Sequence, residues 1–377
     1  MTDSFDQQGA MRTANLTRTL GALMLCWAGA AAADSDDQRF PILPPVPLVS
    51  STVPPNGDVN PYGLAFVPAQ FRSNGGPLST GDLLVSNFNN SSNAQGTGTT
   101  IVKVAPNGTT SLFFQGQVGL GLTTALGVLK KGFVLVGNVP TTDGTCPTVQ
   151  PGSILVLNPD GVLVQTLSDP KMLNGPWYLT VHEHDDGERA TVFVSNVLDG
   201  TVTRLELAVG STSLKLQSST QIASGYLHRC DPAALVVGPT GLAYDSKRDR
   251  LYVASTGDNK IFAIMNAGKI KQSNGMGTVI FQDQKHLHGP LALLLARTGH
   301  LIAAQGDAVN ADVKQPSEVV EFTPAGKFIA QLSLDPAQGG AFGLALAADG
   351  DDVLRFAAVD DVTNSVSVWT LHVPDHD

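Results

Sequence analysis

The sequence predicts an all-β fold, a six-bladed β-propeller of four-stranded antiparallel blades. Apolar, β-branched segments recur as six similar units, at spacings of roughly 45–60 residues. Gly, Pro, Asn and Asp separate the segments, as they do between antiparallel strands, and no amphipathic helical pattern of useful length interrupts them. One four-stranded sheet cannot bury both of its faces, whereas sheets packed around an axis bury them against each other.

The first 33 residues have the pattern of a secretory signal peptide. Arg12 and Arg18 precede a short apolar run that ends in a series of alanines. The run is shorter than the ~20 residues that cross a bilayer, and no later stretch suggests a span. We expect cleavage after Ala33 and an extracytoplasmic protein, either periplasmic or secreted.

A Pro-rich segment at 34–59 follows, and within it residues 47–53 resemble an edge strand between prolines. The sixth unit, at the other end of the chain, offers only three strands. We therefore expect the N-terminal strand to complete the last blade and close the ring.

The propeller itself is expected over residues 60–373. Turns that contain Gly108, Gly161 and Gly326 indicate tight hairpins between strands, because glycine tolerates positive φ. The expected blades are 60–115, 116–169, 173–226, 238–283, 287–336 and 339–373.

The chain carries a formal net charge of −10. Nucleic-acid binding requires a basic face, so this balance excludes nucleic acid as an expected partner. We expect a monomer that binds a small molecule, a glycan or a protein.

Three cysteines occur, of which Cys26 lies in the signal segment and is read either as a lipid-attachment site or as an ordinary signal residue. Cys146 and Cys230 form an even pair in the exported part, which favours one disulfide over two separate thiols. Closing that loop would contribute roughly 4–5 kcal/mol in the chain-entropy model.

The fourth unit, residues 238–264, reads Gly-Pro-Thr-Gly-Leu-Ala-Tyr, then Leu-Tyr-Val-Ala-Ser, then Asn-Lys-Ile. It resembles the NHL repeat and, more distantly, the propellers of the senescence-marker-protein and gluconolactonase type. The latter resemblance implies one divalent metal held in the channel by a Glu, two Asn and an Asp. Asn174 and Asn196 match by type, whereas Asn60-Pro-Tyr-Gly63 stands where the Glu would be.

The second strand of each unit ends in a polar residue. If these side chains point to the channel, they form a ring suited to a hydroxylated ligand or a hard cation. Alternatively, they cap neighbouring loops within the blades. The six residues are Asn87, Asn138, Asn196, Ser255, Gln305 and Asp360.

Aromatic residues and long polar loops occur near the same end of the units. Tyr62, Trp177 and Phe342 either stack on a flat ligand or plug the channel. The loops 89–96 and 307–312 are rich in Asn, Asp, Gln and Ser, and we read them either as partner-binding or as mobile.

Three histidines enter the same face. His286 and His288 lie on one side of an extended segment, and His228 precedes the fourth unit. Together with Asn174 they are candidate metal ligands, or the histidines are solvated loop residues.

Two functional hypotheses follow from the sequence. The first is an exported binding or scaffold propeller that acts through its loop-rich face. The second is a metal-assisted lactonase, hydrolase or lyase with its site at the mouth of the channel. No serine-hydrolase elbow or phosphate-binding loop motif is present to select a catalytic residue.

Overall fold

A computed structural model describes residues 46–71, 75–314, 318–348 and 353–372. The predicted signal segment, with Cys26 in it, and residues 34–45 of the Pro-rich segment lie outside the described residues. Six four-stranded antiparallel sheets account for the strands except for one small hairpin. The all-β prediction is confirmed: a single 3₁₀ turn, Cys146–Thr148, is the helical segment among the described residues.

The strands follow the chain in blade order, from the inner strand of each blade to the outer one. Blade 1 contains β2 (Val59–Phe66), β3 (Leu83–Asn89), β4 (Thr100–Val104) and β5 (Thr110–Gln115). Blade 2 contains β6 (Leu122–Val128), β7 (Val134–Asn138), β8 (Ser153–Leu157) and β9 (Leu163–Leu167). Blade 3 contains β10 (Pro176–Glu183), β11 (Arg189–Asn196), β12 (Thr201–Val209) and β13 (Leu214–Ser224).

The second half of the ring repeats this order after the hairpin β14 (Arg229–Asp231) and β15 (Leu235–Val237). Blade 4 contains β16 (Pro239–Asp245), β17 (Arg250–Ser255), β18 (Lys260–Met265) and β19 (Thr278–Phe281). Blade 5 contains β20 (Pro290–Leu295), β21 (Leu301–Gln305), β22 (Glu318–Phe322) and β23 (Phe328–Ser333). Blade 6 contains β24 (Ala341–Ala348), β25 (Val353–Asp360) and β26 (Ser365–His372).

Blade 6 is completed by β1 (Leu48–Ser51), which pairs antiparallel with β26 from Leu48 opposite Val368 to Ser51 opposite Ser365. The predicted N-terminal closing strand is therefore confirmed. Thr52 continues the attachment, because its N–H and its hydroxyl both donate to the Asn364 carbonyl, at 3.0 and 2.8 Å.

Apolar side chains fill the spaces between neighbouring blades. Between blades 1 and 6, Val85 and Val102 pack against Ala357 and Val366, all of which are buried. Equivalent clusters join blades 1 and 2, blades 2 and 3, and blades 4 and 5. A larger cluster spans blades 3 to 6, so apolar faces bury each other around the whole circle.

Each inner strand contacts the inner strands of both neighbouring blades, so the six surround a central channel. All six show a register irregularity near their first residues, for example between Pro61 and Leu64 and between Pro239 and Leu242. Such bulges redirect side chains. Here they turn residues such as Tyr62 towards the mouth of the channel.

The bulges also explain a glycine in the repeated Pro-x-Gly-Leu-Ala pattern. A Cβ on Gly241 would lie 2.5 Å from the carbonyl oxygen of Leu291 in the next blade, and one on Gly343 would overlap the Tyr62 carbonyl. The glycine is therefore required by the close approach of successive inner strands at the channel.

Candidate functional site

The six polar residues at the ends of the second strands lie inside the blades. Each is at most 7% exposed. Asn196 Nδ2 donates to the Met172 carbonyl and to Thr201 Oγ1, at 3.0 Å each. Asn87 Nδ2 donates to the Thr52 carbonyl at 3.0 Å, which ties the N-terminal segment to blade 1.

The other members of this set make similar internal contacts. Asn138 Nδ2 donates to the Leu120 carbonyl, and Ser255 Oγ donates to Asp258. Gln305 Oε1 accepts from the His288 N–H at 2.9 Å. Asp360 accepts from the Val362 N–H and from the Thr363 hydroxyl, at 3.0 and 2.6 Å. Through these contacts the six side chains bond to neighbouring loops and segments of the fold.

In blades 1 to 3 the residue that follows this position faces the channel instead, because side chains alternate along a strand. Phe88, Val139 and Val197 are 2% exposed or less and pack with residues from the inner-strand bulges. We call this buried cluster the apolar plug; it comprises Tyr62, Phe88, Val139, Trp177, Val197 and Leu291.

Aromatic contacts hold the apolar plug together. The rings of Tyr62 and Phe88 stack with their centroids 4.7 Å apart, and Trp177 meets Phe88 edge-on at 5.3 Å. Phe342 is partly buried against the plug, with its ring 4.7 Å from that of Tyr62. The aromatic rings therefore pack on one another at this end of the channel.

The hairpin β14–β15 covers the plug, and we call residues 229–237 the lid hairpin. Leu235 and Val236 are 2% and 5% exposed and join the plug from above. The disulfide Cys146–Cys230 joins the lid hairpin to the loop of blade 2, with a Cα–Cα distance of 5.6 Å. Gln95 Nε2 donates to the Ala233 carbonyl at 2.7 Å and joins the hairpin to blade 1.

Beside the plug and under the lid hairpin lies a cavity of about 360 Å³, which we call the lidded cavity. Blades 1, 5 and 6 and the lid hairpin supply its walls. Its aromatic floor is Tyr62, Phe88 and Phe342, and its lid side is Ala233 and Ala234. The polar wall includes Asn60, Asn89, Gln95, Asp307 and Asp361.

Of the predicted ligand-binding residues, Tyr62 lines the lidded cavity, and the other described wall residues come from segments next to the predicted positions. Gln95 and Asp307 belong to the segments 89–96 and 307–312, Asn89 is the last residue of β3, and Asp361 follows the predicted Asp360. The available signal was the position of each loop after a second strand. The strand alternation that separates Asp360 from Asp361 decides which of the two carboxyls reaches the cavity.

Asp361 in the lidded cavity has a strongly raised pKa. Its burial, and secondarily the charge of Asp360, raise its pKa to about 7. Among the described residues, no hydrogen bond or ion pair reaches its carboxyl group. Burial and the negative charge of Asp361 also raise the pKa of the Tyr62 hydroxyl above its ordinary value.

Several amide oxygens in the wall are buried without a hydrogen-bond partner among the described residues. They are Asn60 Oδ1, Asn89 Oδ1 and Gln95 Oε1. The nitrogen of Asn89 donates to Asn93 Oδ1 at 2.7 Å, and that of Gln95 is taken up by Ala233. A buried acceptor without a partner is costly, so this wall has unused hydrogen-bonding capacity.

The three candidate histidines are held in separate contacts. The ring of His286 is hydrogen-bonded to Asp283 and stacked on Phe328, with centroids 3.8 Å apart. His228 Nδ1 contacts the Tyr226 carbonyl at 3.1 Å in a different loop. Nowhere in the described part of the chain do three His, Cys, Asp or Glu side chains group as metal ligands would.

His288 belongs to a buried pair. It is 1% exposed, and its Nε2 lies 2.9 Å from Glu318 Oε1, while its Nδ1 contacts the Asn310 carbonyl. Burial raises the pKa of Glu318 to about 7, although the nearby His288 lowers it. This pair attaches the 307–312 loop, and with it Asp307, to blade 5.

The metal set implied by the resemblance does not fit this channel. Asn196 turns into its blade, and Val197 takes the channel-facing position. Asn174 is partly buried, and its carbonyl accepts from the Leu198 N–H at 3.2 Å. An apolar side chain thus takes the position where the metal set needs an oxygen ligand, so we derive no chemistry through a metal there.

A second cavity of about 510 Å³ occupies the channel further along the inner strands, at the end opposite the lid hairpin. All six blades line it, with side chains such as Leu126, Leu179 and Leu344. No charged residue contributes to its described lining. Among the described lining residues of the two cavities, the charged ones, Asp307 and Asp361, therefore belong to the lidded cavity.

The described residues include no helix long and apolar enough to cross a membrane. No protein-family model matches the chain, and no curated protein matches it.

Solved structures with a similar fold include three named proteins. Regucalcin, a calcium-binding protein from Agrobacterium tumefaciens, is 12% identical over 87% of this chain and 96% of its own, with a TM-score of 0.50. A gluconolactonase from Xanthomonas campestris is 15% identical over 89% of this chain and 99% of its own, with a TM-score of 0.48. A streptogramin B lyase is 12% identical over 86% and 98%, with a TM-score of 0.44.

Identities this low establish similarity of fold alone. The resemblance that the sequence showed is confirmed at that level: the chain is a six-bladed β-propeller similar in fold to regucalcin.

Proposed function

We propose that this protein is an exported propeller that binds a small molecule in the lidded cavity. One observation carries the proposal. Elsewhere at this end of the ring, each polar side chain at a strand end makes a hydrogen bond within the fold, and the two amide oxygens there without a partner in the described chain, Asn87 Oδ1 and Asn196 Oδ1, lie apart in blades 1 and 3. In the lidded cavity, buried amide oxygens and the Asp361 carboxyl have no partner among the described residues.

The structure also fixes the positions of the groups that line the lidded cavity. Strands hold Asn89 and the aromatic floor, and the disulfide and Gln95 attach the lid hairpin on two sides. A site on such fixed elements needs little ordering when a ligand enters, which favours affinity. From the sequence we expect two alternative partners, a glycan and a protein. Either could place an end group or a side chain in the same cavity.

The test is a ligand-observed NMR screen of a small-metabolite library against the wild-type protein and Ala234→Phe. The larger side chain is expected to fill the cavity from the lid side and to abolish binding. Ala325→Phe, in an exposed turn of blade 5, is the matched control and is expected to bind normally. Binding that Ala234→Phe leaves intact would place the ligand elsewhere and contradict the proposal.

Export belongs to the same proposal, supported by the signal-peptide pattern of residues 1–33 and by a disulfide between the lid hairpin and blade 2. Expression of the full chain in a bacterial host should yield extracytoplasmic protein whose N-terminus is Asp34. If the protein instead accumulates in the cytoplasm with residues 1–33 still attached, export is refuted.

A second candidate is an enzyme acting on a lactone, an ester or a related substrate at the same site. Asp361 favours it, because a carboxyl group with a pKa of about 7 exchanges protons readily near neutral pH. Turnover of a lactone and ester panel would be expected to fall at least ~100-fold in Asp361→Asn. Turnover that is absent from the wild type, with and without added divalent metal, would exclude this candidate for the panel.

A further inference from the structure

We infer that the ligand of the lidded cavity is an organic cation with N–H donors, a protonated amine that carries a small apolar or aromatic group. The inference rests on the proposed function and deepens it by naming the ligand class. Three features of the cavity support it: the hydrogen-bonding capacity of its wall, its charge and its aromatic floor.

The buried polar atoms of the cavity wall that have no partner among the described residues are oxygens, which can only accept hydrogen bonds. Gln95 Nε2 faces the Ala233 carbonyl, which can only accept, so the remaining Gln95 atom is an oxygen. Asn89 is 2% exposed, and its nitrogen is used by Asn93, which leaves Oδ1 without a partner. A ligand that satisfies these groups must donate hydrogen bonds.

The charge of the cavity selects the same ligand class. Asp361 and Asp307 both line it, and no Lys, Arg or His is among its described lining residues. Asp307 is held in place, since its Oδ2 accepts from the Gly339 N–H at 2.9 Å. Carboxylates in a partly enclosed site attract a cation and repel an anion more strongly than they would in open solvent.

The aromatic floor suits the rest of such a molecule. Tyr62, Phe88 and Phe342 meet with two ring-centroid distances of 4.7 Å. Aromatic faces attract ammonium groups and also bury apolar carbon. A volume of about 360 Å³ lies at the small end of ligand pockets, which limits the occupant to roughly one ring with a short chain.

The test is isothermal titration calorimetry with three matched probes at pH 8. The amine probe is 2-phenylethylamine, the neutral analogue is 2-phenylethanol, and the anionic analogue is 3-phenylpropanoate. We expect the amine to bind the wild-type protein at least ~10-fold more tightly than the alcohol, and the anion to show no binding. This ratio corresponds to one charge-assisted hydrogen bond.

Charge variants test the assignment to this cavity. Asp361→Asn should weaken amine binding ~10-fold or more and leave the alcohol unchanged. Asn89→Asp should strengthen amine binding, so the inference stays testable if the first variant folds poorly. Asp185→Asn removes an exposed carboxylate near the opposite end and should leave all three probes unaffected.

Each contrary outcome has a distinct meaning. If the alcohol binds as tightly as the amine and Ala234→Phe removes both, the cation inference is overturned while the proposed function stands. If calcium ions bind the wild-type protein but not Asp361→Asn, and the amine binds neither, the ligand is a metal ion and the amine inference is overturned. If neither these probes nor the metabolite library bind in the cavity, both proposals fail.

Discussion

At the scale of single residues, strand alternation determines which side chain reaches the channel. Asn196 and Val197 are adjacent in the chain, yet Asn196 binds the loop of its own blade and Val197 joins the apolar plug. The same division separates Asn87 from Phe88 and Asp360 from Asp361. A shift of one position therefore exchanges a structural residue for one at the site.

We expect Asn196→Ala to destabilise the fold by about 1–3 kcal/mol, because the buried Met172 carbonyl and the Thr201 hydroxyl lose a donor. Urea unfolding measures this loss. Gln217→Ala, which changes an exposed amide on an outer strand, should have an effect near zero. Loss of ligand binding without loss of stability would instead assign Asn196 to the site.

Asp361 makes stability depend on pH. The folded protein holds the proton of this carboxyl more tightly than the unfolded chain, because its pKa is raised from 3.8 to about 7. The contribution of the protonated Asp361 carboxyl to stability is therefore fully present below pH 3.8, its ordinary pKa. It is lost as the pH rises through about 7.

Asp361→Asn should therefore raise the melting temperature relative to the wild type at pH 8, by a few degrees, or about 1–3 kcal/mol. At pH 4 the two proteins should melt nearly together. Thermal melts across this range, with Asp185→Asn alongside, measure the difference. A variant that is less stable than the wild type at pH 8 would show that the carboxylate is stabilised there.

At the scale of elements, β1 and the residues after it act as the closure of the ring. Besides the pairing with β26, Asp58 is 3% exposed and accepts from the Thr99 N–H and hydroxyl and from the Thr100 hydroxyl, at 2.8 to 3.0 Å. The N-terminal segment is thus attached to blade 6 and to blade 1.

A mature chain that begins at Pro54 lacks β1 and should melt at least 10 °C lower or fail to accumulate, because the edge of β26 and the Asn364 carbonyl lose their partners. A chain that begins at Val46 retains both and is the control. Equal melting temperatures in differential scanning calorimetry would contradict the closure.

The lid hairpin depends on its attachments more than the blades do. It is a two-stranded ribbon of three residues a side, and such ribbons are marginally stable alone. Leu235 within it has a φ of +62°, a conformation that costs a non-glycine residue about 1–2 kcal/mol. The disulfide and the plug contacts offset this cost.

Cys146→Ser with Cys230→Ser should increase amide hydrogen exchange in residues 229–237 and leave the central strands of the blades unchanged. The loss of stability should not exceed about 4–5 kcal/mol, the chain-entropy value for a loop of this size. Exchange that stays slow in the lid hairpin would show that the plug and Gln95 are sufficient to hold it.

At the scale of the whole molecule, the two ends of the ring differ in chemistry. One end carries the lid hairpin and an acidic cavity, and the other opens into an uncharged channel cavity. With a net charge of −10, self-repulsion opposes association, so sedimentation velocity of the mature protein should show one chain per particle. A dominant dimer would contradict this expectation.

The amino-acid sequence by itself determined the six blades, their order and the strand that closes them. Those features depend on local patterns: apolar alternation, turn glycines and the Pro-x-Gly-Leu-Ala opening of the units. The identity of the cavity residues depends on contacts between distant segments. Three features place hydrogen-bond acceptors without partners in one cavity. They are the inner-strand bulges, the lid hairpin between blades 3 and 4, and the one-residue difference between Asp360 and Asp361. Only the tertiary structure could decide this, because each of these groups is defined by neighbours far away in the chain.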